Sequence, residues 1–386
     1  MDAVAVAQSF YDEINACADE MESQAHMDKS LAQKMAAAGC YRLLVPKRYS
    51  GEEVHPQEFV DALTATSKAD AAVGWVQMIG CTTGLLSASL PHEYAQAIYG
   101  DHPDDVTVGV TAPIGRAQFA DKQGQPGVTV NGRWPFGSGS QIARWICGGS
   151  IIYDNGEPRL NKYGQPESAL IFFPAEEVTI HTDSWDTSGL RGSGSHDFEI
   201  VDGWAPEGRW AVLGHRPRVD APLYRFPTLG LLALGVSAVA VGTAERAFEE
   251  FIQIAGNKTP TGASRSLANR PAVQKEVAIA QAQLQSAQAL TREYVEQAYA
   301  EAEGEGRLSV ELKSKLRLAA ANNTWAAVKV VDSLYHLGGG TSIYSKSKLQ
   351  RCFRDVHVTT QHIMVAQPIF EVVGKVKLGL DPNQPL

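Results

Sequence analysis

The chain has 386 residues, 44% of them hydrophobic and 20% charged, with a formal net charge of −9. That length carries one to three domains with a sizeable core, and the composition is that of an ordinary globular protein. The acidic balance, with no block of Lys or Arg, argues against nucleic acid or anionic membrane as the main partner.

Five scattered cysteines (Cys17, Cys40, Cys81, Cys147, Cys352) include no C-x-x-C pair. Neither a disulfide framework nor a zinc site is expected, and a reducing, cytoplasmic setting is. Residue 1 leads into an amphipathic pattern with acids at Asp2, Asp12 and Glu13, unlike a signal peptide. The apolar run Leu229 to Val241 is broken by Gly235 and Ser237 and is shorter than the ~20 residues of a membrane span.

From Val4 to about Tyr99 apolar residues recur at helical spacing, with Ser30 and Gln33 reading as a capping box at a helix start. From about Asp105 the period shortens to strands at Val106–Val110, Val128–Trp134, Trp145–Tyr153, Ser168–Phe173, Val178–His181 and Phe198–Val201. Helical spacing returns from Leu223, with long helices predicted over Pro271–Ala302 and Val310–Leu337. The expectation is an α+β chain with a helical domain over 1–104, a sheet domain over 105–215 and a helical domain over 216–386. No repeat or low-complexity tract interrupts it.

Four strings stand out. The first is Ala38-Gly39-Cys40-Tyr41-Arg42-Leu43-Leu44-Val45-Pro46, followed by Ala72-Val73-Gly74-Trp75. The second is Asn131 to Gly139, which reads NGRWPFGSG; its Gly-Ser-Gly end also suits a plain hairpin turn. The third, Trp185 to Asp197, reads WDTSGLRGSGSHD. It does not join a strand to a helix as a dinucleotide fingerprint must, so a Rossmann reading is rejected. The fourth is Arg354-Asp355-Val356-His357-Val358-Thr359-Thr360-Gln361-His362, with no carboxylate between Asp355 and Glu371. No metalloprotease, zinc or nucleophile-elbow motif accompanies them, so no metal is expected.

Together these strings resemble the acyl-CoA dehydrogenase fold, and within it the two-component (group D) flavin-dependent monooxygenases. That branch includes the oxygenase components of 4-hydroxyphenylacetate hydroxylase and dibenzothiophene monooxygenase. The resemblance implies an N-terminal helical domain, a central β-barrel-like sheet domain and a C-terminal four-helix bundle. It places Phe136 against a flavin ring and Ser138 near the ring's N5. It makes Thr111, Trp185 and Ser195 further flavin neighbours, with Arg265 and Lys258 as candidates for the flavin phosphate. Trp75, Trp185 and Met364, with a helix starting at Ile363, would wall an apolar substrate pocket.

The dehydrogenases of this fold use a carboxylate base in one of two places. One place is Ile363 here, and the other falls in a stretch with no acid between Asp220 and Glu245. By the same resemblance His362 falls where the monooxygenase branch carries a histidine at the flavin face, which makes it, with Ser138, the catalytic candidate and His357 a weaker one. An imidazole of ordinary pKa near 6.5 can give and take a proton at neutral pH. Asp355 is read as structural, paired with Arg351 or Arg354, and His196 and Asp197 as solvent-facing.

The implied activity is oxygenation of an aromatic or heteroaromatic small molecule with O₂, by way of a C4a-(hydro)peroxyflavin. The implied cofactor is FMN, taken as FMNH₂, in preference to FAD; a separate flavin reductase would supply it, and a homotetramer would house it. Two other readings stay open: an acyl-CoA dehydrogenase or oxidase with an unusual base, and a non-catalytic flavin- or CoA-binding scaffold.

Overall fold

A computed structural model describes residues 1–161, 164–212, 217–304, 308–384 and 386. The expected boundary between residues 215 and 216 lies outside the described residues. Six helices come first: α1 (Ala3–Ser9), α2 (Tyr11–Gln24), α3 (Lys29–Ala37), α4 (Pro56–Ala69), α5 (Ala71–Gly84) and α6 (His92–Ala95). Helix α3 is capped by Asp28, whose side chain accepts the Leu31 N–H at 2.7 Å. The expected box at Ser30 is therefore displaced, because a carboxylate two residues earlier already satisfies the first turn.

Eight strands follow: β1 (Thr107–Lys122), β2 (Gln125–Trp134), β3 (Trp145–Asp154), β4 (Glu157–Pro158), β5 (Ser168–Pro174), β6 (Thr179–His181), β7 (Asp197–Pro206) and β8 (Trp210–Ala211). They form one sheet in the order β6-β7-β2-β1-β3-β5-β8, with β4 on β3 and only β1–β3 parallel. The six predicted strands are present, but β1 runs twelve residues past its predicted end, from Val110 to Lys122. That polar half has no apolar alternation. The partner strand holds it, in register from Arg116↔Asn131 to Lys122↔Gln125.

The last helices are α7 (Pro222–Arg225), α8 (Thr228–Asn257), α9 (Pro271–Glu303), α10 (Val310–Gly338), α11 (Lys348–Thr359) and α12 (Pro368–Lys377). The helix expected at Ile363 starts at Pro368 instead, since proline favours a first helical position. Ile363 itself is exposed.

Helix α5 divides the interior. Val73 and Val76 pack toward the sheet with Val108, Val130 and Trp134. Trp75 and Met78 pack toward α8 and α10 with Leu231, Leu234 and Leu316. Trp134 is fully buried, stacks on Phe198 at 5.1 Å and donates its indole N–H to the Gly149 carbonyl at 2.7 Å. Gly115 and Gly148 leave its slot, because a Cβ at either would come within 2.6 Å of the indole. The segment Ala71–Ala88 and helix α8 are apolar and long enough to cross a membrane, yet 89% and 78% of those windows are buried inside the fold.

Candidate active site

The site forms where α5, the β2–β3 connection, the loop before β7 and the segment after α11 meet. Asp70 caps α5, accepting from the Ala72 and Val73 N–H groups at 2.9 and 3.1 Å, and so sets the helix one turn before Trp75. The Trp75 indole N–H donates to Ser138 Oγ at 3.1 Å. Ser138 Oγ lies 2.6 Å from Ser195 Oγ, and Ser195 Oγ lies 2.7 Å from Ser193 Oγ. Ser193 Oγ donates to the Leu190 carbonyl at 2.6 Å.

The proton direction along this chain follows from counting, since each hydroxyl has one proton and two acceptor lone pairs. A carbonyl can only accept, so the Ser193 proton goes to Leu190. Ser195 must then donate to Ser193, and Ser138 to Ser195. Every proton points away from Trp75. Ser138 keeps one acceptor lone pair and no free donor.

The loop carrying Ser193 and Ser195 is fastened to α11. Asp355 accepts the Leu190 N–H at 2.7 Å, and Arg354 donates to the Ser188 carbonyl at 2.5 Å. Gly189 has to be glycine here, because a Cβ would sit 2.7 Å from the Arg354 carbonyl carbon. The ion pair expected of Asp355 is absent among the described residues. Arg351 pairs instead with Asp19 and Glu22, and Arg354 with Glu22. Burial, with Asp70 nearby, raises the Asp355 carboxyl to about 7.

His362 follows that helix. Its ring meets Trp75 edge-on, centroids 5.6 Å apart. Nδ1 accepts the Met364 N–H at 3.3 Å, so in the neutral ring the proton belongs on Nε2. Burial, and secondly the charge of Arg317, push its pKa down to about 4. The expectation of a group titrating near neutrality is corrected: in this protein the ring is neutral at pH 7, because desolvation and a nearby cation both oppose charge. Arg317 on α10 donates to the Met364 carbonyl at 3.3 Å. Among the described residues, no carboxylate hydrogen-bonds to Trp75, Ser138, Ser195 or His362.

Phe136 adopts a left-handed backbone (φ 66°) and is 66% exposed, with its ring edge-on to half-buried Trp185 at 6.3 Å. An aromatic residue in that conformation is strained, and its ring stands outward beside the indole. Trp185 is steadied by the Leu190 and Arg191 carbonyls at 3.3 and 3.2 Å. The Phe136–Trp185 corner and the open lone pair of Ser138 fit the flat face and N–H groups of a flavin ring.

Other sequence candidates stand apart. Thr111 is exposed in the irregular stretch of β1 between Val110 and Gly115. Lys258 caps α10 through the Gly338 carbonyl at 2.8 Å. Arg265 is exposed beyond the end of α8; from Gly235, beside Met78, to that end is about 33 Å at 1.5 Å per residue. Arg265 therefore does not join its own chain's serine cluster. His357 pairs with Asp332 at 2.9 Å, away from Trp75. His196, expected in solvent, is 2% exposed, its Nε2 against the Ala25 carbonyl at 3.2 Å, because the N-terminal helices cover that strand start. A groove of about 990 Å³ between α1, α4, α8 and α9 shares no residue with this cleft.

Sequence reasoning missed Ser193 as a relay member and missed Arg317 altogether. The signal for Arg317 was its alignment with Ala320, Ala321, Thr324 and Val328, a stripe of small and apolar residues at helical spacing.

The acyl-CoA dehydrogenase N-terminal domain matches residues 3–95, and the C-terminal domain of the same family matches residues 234–367. The indole-3-acetate monooxygenase of Acinetobacter baumannii is 34% identical over 95% of this chain and 91% of its own length. The oxygenase component of the FADH(2)-dependent resorcinol hydroxylase of Rhizobium sp. is 26% identical over 95% of this chain and 91% of that protein. The dibenzothiophene monooxygenase TdsC of Paenibacillus sp. A11-2, solved with FMN and indole, superposes with a TM-score of 0.81 at 18% identity, covering 98% of this chain and 97% of that one.

Proposed function

The chain belongs to the flavin-dependent monooxygenases of the acyl-CoA dehydrogenase family, and from that premise we propose how its residues serve the reaction. It is the oxygenase of a system acting on an aromatic or heteroaromatic small molecule. When bound in reduced form, the flavin supplies the electrons that activate O₂.

Ser138 offers its remaining lone pair to an N–H of the ring. This polarity suits the reduced form, which adds an N–H where the oxidised ring has only an acceptor. Ser195 and Ser193 hold that polarity by taking the Ser138 proton inward. His362, neutral and carrying its proton on Nε2, is a hydrogen-bond donor toward the reacting oxygen. Trp75 forms the pocket floor, with Met364 beside it. Trp185 and Phe136 line the flavin side.

FMN, delivered as FMNH₂ by a separate reductase, is the preferred flavin. The relative named for FADH(2) keeps FAD as the competing choice, to be separated by comparing the two reduced flavins. Arg265 is assigned to the flavin phosphate of a neighbouring copy, since its own cleft is out of reach. Exposed Ile343, Tyr344, Ile363, Leu378 and Leu380 support such an assembly, a homotetramer.

The observation that carries this reading is the one-way serine relay beside a neutral imidazole, with no carboxylate touching either. Anaerobic protein loaded with FMNH₂ and mixed with isotopically labelled O₂ and a panel of aromatic compounds should place label in one product. Flavin oxidation with no labelled product anywhere in the panel refutes it. Bleaching of bound oxidised flavin by an acyl-CoA would instead establish a dehydrogenase.

A further inference from the structure

Two arginines are buried among the described residues, Arg246 and Arg317. Arg246 is fully engaged, with Glu250, Tyr11 and Asn15 around its guanidinium. Arg317 is 2% exposed and has no carboxylate partner among the described residues: there its Nη2 reaches only the Met364 carbonyl, and its Nε reaches nothing. Its pKa is pushed down to about 10 by burial alone, with no acid offsetting it, so it is still a cation at neutral pH. An uncompensated buried cation is among the most destabilising features a fold can keep.

Its position is specific. Met364 accepts from Arg317 through its carbonyl and donates to His362 through its N–H, so guanidinium and imidazole share one residue of backbone. The imidazole in turn abuts Trp75. A cation, an N–H donor and an aromatic ring are thus joined in one short run of contacts through Met364.

We propose that Arg317 anchors an anionic group of the organic substrate, which is an aromatic carboxylate whose carboxyl pairs with the guanidinium while its ring lies against Trp75. The fork of a guanidinium matches a carboxylate through two parallel hydrogen bonds, and pairing removes the burial penalty only when that ligand is present. Ligand binding and relief of the buried charge are then one event. This inference rests on the monooxygenase reading for the identity of the cleft. The other source of a matching anion is a flavin phosphate, and the test separates the two.

The experiment uses the full chain and three acid–amide pairs: indole-3-acetate and its acetamide, phenylacetate and its acetamide, benzoate and benzamide. Calorimetry and thermal shift are read without flavin, and reduced FMN is titrated separately. At least one acid should bind the unmodified protein about a hundredfold more tightly than its amide, the range for a buried charge pair. Arg317→Met should abolish that preference, leave reduced FMN affinity within about twofold, and melt no lower than the parent when ligand-free.

Equal binding of every acid and amide by the unmodified protein, including binding of none, overturns the proposal whatever the variant does. So does a preference that survives Arg317→Met. A large loss of FMN affinity with the acid preference intact reassigns the guanidinium to the flavin phosphate. Failure of the unmodified protein to take reduced FMN counts against the monooxygenase reading, while the acid–amide comparison still judges Arg317.

Discussion

The two walls of the cleft are built on opposite rules. On the serine side the four groups of the relay are neutral and partnered: Trp75, Ser138, Ser195 and Ser193 pass their protons in one direction to the Leu190 carbonyl. On the α10–α12 side a buried guanidinium lacks an acid and an imidazole is held neutral beside it. The first wall is finished before any ligand arrives, which makes it a rigid gauge of what binds. The second is left electrostatically incomplete, so an anionic ligand would complete it. A satisfied network specifies geometry, whereas an unsatisfied charge stores a preference for a partner.

The largest effect expected from breaking this contrast is at His362. His362→Ala should lower labelled product per O₂ consumed by about 10² to 10³, typical of one lost donor to a developing oxyanion, with reduced flavin affinity little changed. Coupled turnover at the parental level in that variant removes His362 from the chemistry.

The same ring has a signature in stability. Its folded pKa of about 4 lies below the ~6.5 of an unfolded histidine, so the unfolded chain binds the extra proton first. Its contribution is fully present above pH ~6.5 and is lost as pH falls toward 4, by at most about 3 kcal/mol given its partial exposure. His362→Gln should flatten that part of a urea-denaturation pH profile, and an unchanged slope would show that the ring is not held neutral.

Asp355 has the opposite sign. Its folded pKa of about 7 is above the unfolded carboxylate value, so its favourable contribution belongs to low pH and is lost as pH rises through 7. Asp355→Asn keeps an acceptor for the Leu190 N–H and should be the more stable protein at pH 8, by about 2 kcal/mol. A less stable Asn variant at that pH would mean the carboxylate is stabilised by charges not accounted for.

The smallest effect is at Ser193, which sits behind the contact. Ser193→Ala should lower the ratio of reduced to oxidised flavin affinity by about tenfold, the worth of one hydrogen bond, and Ser193→Thr should restore it. A parallel fall in both affinities would mark Ser193 as merely structural.

Much of this architecture was legible in the order of periodicities. Helical spacing, then strands with Gly and Pro punctuation, then two long Ala- and Gln-rich helices matched the observed α9 and α10 to within a residue or so. Local rules failed where distant partners decide. The polar half of β1 is a strand because β2 pairs with it, and α12 starts at Pro368 because a proline fits best at a first turn. His196 looked solvent-facing from its neighbours and is covered by the turn after α2.

By itself the chain's sequence determined which groups were available: serines in two glycine-rich strings, an imidazole after α11, and no acid in either place a dehydrogenase would need one. Only the tertiary structure decided their protonation, direction and company. It aligned three hydroxyls so that one carbonyl sets the proton order of all of them. It set Arg317 and His362, forty-five residues apart, on opposite ends of one peptide unit's neighbourhood at Met364. Charge and hydrogen-bond polarity depend on what excludes water and on who stands within about 4 Å, and those are properties of contacts made across the chain.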